Sequence, residues 1–152
     1  YQTNFLVNRD EGFWGTLTGR ASATIWTFGD GQTATNTGMN NISHRWTNSG
    51  DYSITYTAYN NDNPAGVSTN LTVHVQPLNV PQLQSAAWLT DGFQFQFNGQ
   101  LNANYVVQYS TNLTPPVAWQ TLQNIYFSTS GVYQITDPAT TNATRFYRVG
   151  VQ

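Results

Sequence analysis

The sequence predicts an all-β chain built as two tandem β-sandwiches. Three observations carry this prediction. Apolar and polar residues alternate with a period of two along several short runs, the signature of half-buried strands. Turn formers punctuate those runs at short intervals, and no segment sustains a helical period. Finally, Gln76-Pro-Leu-Asn-Val-Pro81 separates two independent sets of strands with a short, fairly stiff linker.

In chain order, the first expected strand covers Asn4 to Val7. Gly29-Asp-Gly31 is a turn, because two glycines supply positive φ around an Asp whose carboxylate can accept from nearby backbone amides. From Tyr52 the chain alternates, with Tyr52, Ile54, Tyr56 and Ala58 on one face and Ser53, Thr55 and Thr57 on the other. Leu71, Val73 and Val75 repeat the pattern around Thr72 and His74, and the intervening Asn60-Asn-Asp-Asn-Pro64 makes the pair a hairpin with a long loop. Tyr52, Ile54, Tyr56, Leu71 and Val73 are therefore expected to form one core.

Beyond the linker, Phe93, Phe95 and Phe97 alternate with Gln94, Gln96 and Asn98, and Tyr105, Val107 and Tyr109 with Val106, Gln108 and Ser110. Val132–Ile135 and Arg145–Val149 follow as further strands. Asp91-Gly92, Asn98-Gly99, Pro115-Pro116, Ser130-Gly131 and Asp137-Pro138 mark the turns. Phe93, Phe95, Tyr105, Val107 and Tyr109 are expected in a second core.

Two family resemblances run along the same division. Trp26-Thr-Phe28-Gly29-Asp30-Gly31, then His44-Arg-Trp46, then Gly50-Asp-Tyr52 and the alternating strand after it resemble the PKD domain, an immunoglobulin-like β-sandwich, departing mainly at Trp46 and Tyr56, which stand for a Tyr and a Leu. That resemblance implies a structural role for Trp26, Phe28, Gly29, Asp30, Gly31, His44, Trp46, Gly50 and Tyr52, with His44 hydrogen-bonding toward the turn. It also implies a spacer or interaction module of secreted and surface proteins. Gly92–Phe97, Tyr105–Thr114, Trp119 with Leu122, Ile135–Pro138 and Arg145–Arg148 look like a fibronectin-type-III-like module of large secreted bacterial proteins. The expected domains are thus 1–77, PKD-like, and 78–152, fibronectin-type-III-like. The fold class is all-β, two tandem immunoglobulin-like/fibronectin-type-III-like β-sandwiches.

Composition narrows the setting. Charged residues make up 8% of the chain, against about 25–35% on a well-solvated surface. Asn, Thr, Gln and Ser must cover the exterior instead, giving neutral hydrogen-bonding faces that meet a protein or a glycan with little charge to desolvate. The net charge of −2 leaves weak self-repulsion. Five scattered arginines form no basic footprint for nucleic acid. With no cysteine and no lysine, neither a disulfide nor a Lys-to-Asn isopeptide can brace small domains of this size. No stretch of about 20 apolar residues is present, so no membrane span is expected. Opening at Tyr1 without Met, basic region or leader, the chain is expected to be a processed mature chain or an excised segment.

An inventory of reactive side chains points away from catalysis. His44 and His74 are the only histidines, Glu11 the only glutamate, and the aspartates sit mostly in turn contexts. There is no G-x-S-x-G elbow, P-loop or H-E-x-x-H, so no catalytic residue, cofactor or metal site is expected. Asn60-Asn-Asp-Asn63 concentrates oxygens that calcium would accept, but one carboxylate favours a solvated loop. Among the aromatics, Trp26, Trp46 and Trp119 are expected to pack inside, leaving Phe13, Trp14 and Trp88 as candidate glycan contacts. Sequons at Asn41, Asn70, Asn112 and Asn142 are as many as composition alone yields.

Two function classes follow. The first is a non-catalytic extracellular subunit or segment of a cell-surface fibre, partnered by copies of itself or other surface modules. Tyr1, Phe5, Val7, Phe146, Val149 and Val151 are then its candidate assembly contacts. The second is an accessory spacer or polysaccharide-contacting module of a secreted polysaccharide-degrading enzyme.

Overall fold

The computed structural model describes residues 2–36, 41–138 and 144–152. The thirteen strands among these described residues fall into two compact units, Tyr1–Leu78 and Asn79–Gln152. Tyr1 and the Asn142 sequon lie outside the described residues. Among the described residues no helix is long and apolar enough to cross a membrane.

The first unit contains β1 (Asn4–Leu6), β2 (Glu11–Trp14), β3 (Ala23–Thr27), β4 (Thr33–Asn36), β5 (Asn41–His44), β6 (Gly50–Tyr59) and β7 (Val67–Gln76). Five of them form a sheet in the order β1-β7-β6-β3-β4, and β2 pairs with β5 in a second sheet. The hairpin read from the alternation is present: β6 and β7 pair antiparallel from Gly50↔Val75 to Ala58↔Val67. Its loop is braced from within, because Asn60 Oδ1 accepts from the Asn63 amide at 2.7 Å. That bond ties up one of the oxygens weighed for calcium.

Ile54, Tyr56 and Val73 enter the core with Phe5, Phe13, Trp26, Phe28, Trp46 and Val75, while Tyr52 and Leu71 pack against it half-buried. Phe5 was expected on an assembly surface and is instead 5% exposed, stacked on Trp46 at 6.0 Å. The reason is the parallel pairing of β1 with β7, which places Phe5 opposite Val75 and turns its ring inward. Val7 extends that docking, its backbone N–H donating a hydrogen bond to the Gln76 carbonyl.

The second unit contains β8 (Leu83–Leu89), β9 (Gly92–Gly99), β10 (Asn104–Ser110), β11 (Gln120–Tyr126), β12 (Gly131–Asp137) and β13 (Phe146–Val151). Two three-stranded sheets, β12-β9-β8 and β11-β10-β13, enclose Phe95, Phe97, Tyr105, Val107, Ile125, Phe127 and Ile135. Packing is close: a Cβ on Gly99 would sit 2.0 Å from the Phe127 ring, so only glycine fits there. Three expected interior residues lie nearer the surface. Phe93 is half-buried against Tyr147 and Trp88. Tyr109 is half-buried with its ring under the Arg145 guanidinium at 4.2 Å and its hydroxyl on Gln120, an amphipathic ring keeping one end wet. Trp119 is half-buried under Arg148, because its indole packs on a guanidinium rather than between sheets.

Candidate functional site

The PKD-like motif residues converge on one node. Gly29 and Gly31 take φ of +79° and +89°, and a Cβ on Gly29 would meet the Ser53 backbone nitrogen at 2.8 Å. Between them Asp30 Oδ1 accepts from the Gln32 amide at 3.0 Å, closing the turn, and Oδ2 meets His44 Nε2 at 2.8 Å. The His44 ring stacks on Phe28 at 3.9 Å and stands edge-on to Trp46, whose Nε1 donates to the Phe28 carbonyl. Tyr52 stacks on Trp46 in turn and donates its hydroxyl to the Asn48 carbonyl. Gly50 opens β6 opposite Val75.

Burial pushes the Asp30 carboxyl up, but the bonds from the Gln32 amide and the His44 ring outweigh it and hold it below the usual carboxylate value. The His44 side chain is 7% exposed. The Asp30 side chain keeps 16% exposure, and with one carboxylate oxygen on the Gln32 amide and the other on the His44 ring the pair forms a clasp on the turn. Glu11 lies across from His44 in the β2–β5 ladder, its carboxyl pushed up by burial. No group of three or more His, Cys, Asp or Glu able to hold a metal occurs among the described residues.

The candidate glycan contacts separate. Phe13 is core, edge-on to Phe5 and Trp46, and reaches the surface only as part of a pocket wall; alternation along β2 turns it inward and Trp14 outward. Trp14 is 64% exposed and folds back over Gly12, where a Cβ would meet its six-membered ring at 3.2 Å. Beside it opens a pocket of about 400 Å³ lined by Trp14, Thr16, Trp26, Tyr56, Thr69 and Asn70 among others. Trp26 also lines it, and its Nε1 is buried with no partner among the described residues, an unmet donor costing about 1–3 kcal/mol. Trp88 is 63% exposed on β8, its ring tilted against Phe93 at 5.2 Å.

The second unit holds a polar cluster that the sequence did not disclose. Asp137, 2% exposed, accepts from Arg145 Nη1 at 2.6 Å and from the Tyr147 hydroxyl at 2.8 Å on one oxygen. Burial, reinforced by the bond to Asp137, pushes the Tyr147 hydroxyl well above its ordinary value. Next to this cluster a groove of about 740 Å³ runs between β8 and β13, lined by Leu83, Phe93, Leu113, Trp119, Phe146 and Tyr147 among others.

Of the candidate assembly contacts, Phe146 is exposed and Val149 and Val151 are half-buried on β13, an edge strand whose only ladder among the described residues is with β10. The Gln152 amide donates to the Asn104 carbonyl. Alternation then turns the amides and carbonyls of Gly150, Arg148 and Phe146 toward β10, and those of Val151, Val149 and Tyr147 toward the open side.

Residues 3–73 match the PKD domain family model. The matched span includes the Asp30–His44 clasp and the residues that line the Trp14 pocket. No curated protein matches the chain in sequence. Among solved structures, a chain described under "Structural basis for the promiscuous specificity of the carbohydrate-binding modules from the beta-sandwich super family" is similar at 12% identity and a TM-score of 0.45, over 98% of this chain and 92% of that one.

Proposed function

We propose that the chain is a non-catalytic extracellular structural module. In this reading a PKD-like sandwich (1–77) and a fibronectin-type-III-like sandwich (78–152) assemble into a surface fibre by strand addition onto β13 of the next copy. The observation that carries the reading is the edge of β13, bare among the described residues. Its six residues have no proline, its ladder with β10 runs without a register shift, and its arginine is drawn aside onto Trp119. Soluble sandwiches ordinarily blunt such an edge with charge, proline or a bulge. The β8 edge shows the contrast, with Ser85 at φ +54° inside a break of register between Gln84 and Ala87.

A strand laid along β13 meets the outward amides and carbonyls of Tyr147, Val149 and Val151, and its inward side chains enter the groove beside Phe93 and Phe146. If the donor is a different edge of the second copy, the contact does not close and a filament grows. The engagement of both Asp30 oxygens in closing the turn, with the His44 ring buried, supports a non-catalytic role.

The test is sedimentation velocity on the full chain at rising concentration, beside Val149→Pro. Proline there removes an outward N–H and leaves the β10 ladder intact. The full chain is expected to form concentration-dependent higher species, and the variant to stay monomeric with an unchanged melting midpoint. A full chain that remains monomeric at high concentration, or a Val149→Pro chain that assembles equally well, overturns the reading.

A further inference from the structure

We infer that the pocket beside Trp14 binds a neutral saccharide, a ligand the assembly reading neither requires nor supplies. Trp14 is placed as a platform: one side of its six-membered ring rests over Gly12, which has no side chain to tilt it, and the indole remains 64% exposed. An indole presented flat to water matches the apolar C–H face of a pyranose ring. The adjoining wall carries hydroxyls and a carboxamide, from Thr16, Thr69 and Asn70, which suit sugar hydroxyls as donors and acceptors alike.

Charge selects against other ligands. No residue lining the pocket is ionisable at neutral pH, so a phosphate, a carboxylate or an ammonium would lose its hydration without a counter-charge, whereas a neutral polyol exchanges one set of hydrogen bonds for another. Its volume of about 400 Å³ lies within the range of roughly 300–1,000 Å³ typical of small-molecule sites.

The strands explain why the pocket stays open. β1 pairs only with residues 74–76 of β7, so Thr69, Asn70 and Leu71 lie on a stretch of β7 that β1 does not reach, and the chain leaving β2 at Trp14 passes beside it. Gly15 permits that passage, since a Cβ there would sit 2.7 Å from the Tyr56 ring.

The experiment is affinity electrophoresis of the full chain through gels containing, in turn, a soluble neutral glucan, a neutral xylan and a galactomannan, with Trp14→Ala, Asn70→Ala and Trp88→Ala alongside. At least one polysaccharide is expected to retard the full chain. Trp14→Ala should lower that affinity tenfold or more, Asn70→Ala severalfold, and Trp88→Ala leave it unchanged. If Trp14→Ala does not fold, as judged by circular dichroism, Asn70→Ala decides. Absence of retardation by all three polymers overturns the inference, as does retardation that survives the deciding variant or is lost equally with Trp88→Ala. Sedimentation reads assembly separately, so failure of one proposal leaves the other standing.

Discussion

The two units meet the same problem, a small core with no covalent brace, in different ways. In the first, nine buried residues, six of them aromatic, fill the space between a five-stranded and a two-stranded sheet, and a short β1 caps part of the β7 edge. In the second, two three-stranded sheets enclose the core and leave β8 and β13 as edges beside an apolar groove. Each unit also carries a clasp on a carboxylate: Asp30 with His44 in one, Asp137 with Arg145 and Tyr147 in the other. The difference lies in depth. The first clasp closes a turn over an aromatic stack, whereas the second is sunk in its sandwich, with the carboxylate 2% exposed. A carboxylate at the rim can be lost at modest cost. One buried in the wall costs more, because its partner is left charged and mostly out of water.

The largest effect is expected from the aromatic core. Trp46 touches Phe5, Phe13, Phe28, His44 and Tyr52 and donates to the Phe28 carbonyl. Trp46→Ala should cost about 4 kcal/mol. In urea denaturation followed by circular dichroism it should split off an early transition belonging to the first unit while a later one stays in place. A single transition moving as a whole would show that the two units share their stability.

Next comes the buried clasp. Asp137→Asn keeps the shape but removes the charge that faces Arg145, whose Nε already lacks a partner among the described residues. A cost of about 3 kcal/mol is expected, at the low end for breaking a buried pair, because the Arg145 side chain keeps 21% exposure. The readout is the later of the two transitions. Equal losses from Asp137→Asn and from the corresponding change at Asp30 would erase the distinction between rim and wall.

The clasps also differ in how far the sequence discloses them. Asp30 stands between two glycines, and His44 sits at a fixed offset in a motif, so local turn chemistry and resemblance together place them. Asp137 reads only as a turn residue before Pro138; its burial follows from which strand face Arg145 and Tyr147 present, a long-range outcome that no local pattern encodes. The all-β class and the β6–β7 hairpin were legible because alternation is local. β8 was not, since all seven of its residues are exposed and nothing alternates. Phe5 and Phe13 misled for a related reason: a run of two or three apolar residues near glycine or a chain end does not say which of them faces in. Trp14 and Trp88 emerged as exposed, but the pocket beside Trp14 needed β7, some 55 residues onward, to form its other wall.

The smallest effect, and the one with a pH signature, belongs to the rim clasp. Asp30→Asn retains an oxygen for the Gln32 amide but cannot carry charge opposite His44, so the cost should be about 1.5 kcal/mol, the low end of the range for a hydrogen bond to a charged group, because the carboxylate sits at the rim. For a domain of this size each kcal/mol moves Tm by about 4–8 °C. The folded carboxyl sits below its ordinary value of 3.8, so the unfolded chain takes up the proton first as pH falls. The stabilisation is therefore fully present above the unfolded value and drains away below it, as pH drops through the folded one. The Tm difference between the full chain and Asp30→Asn, measured from pH 7 down to pH 2, should hold steady to about pH 5 and then close. A difference that persists unchanged at pH 2 would mean that shape and packing at the Phe28–His44 stack, rather than the carboxylate charge, hold the turn.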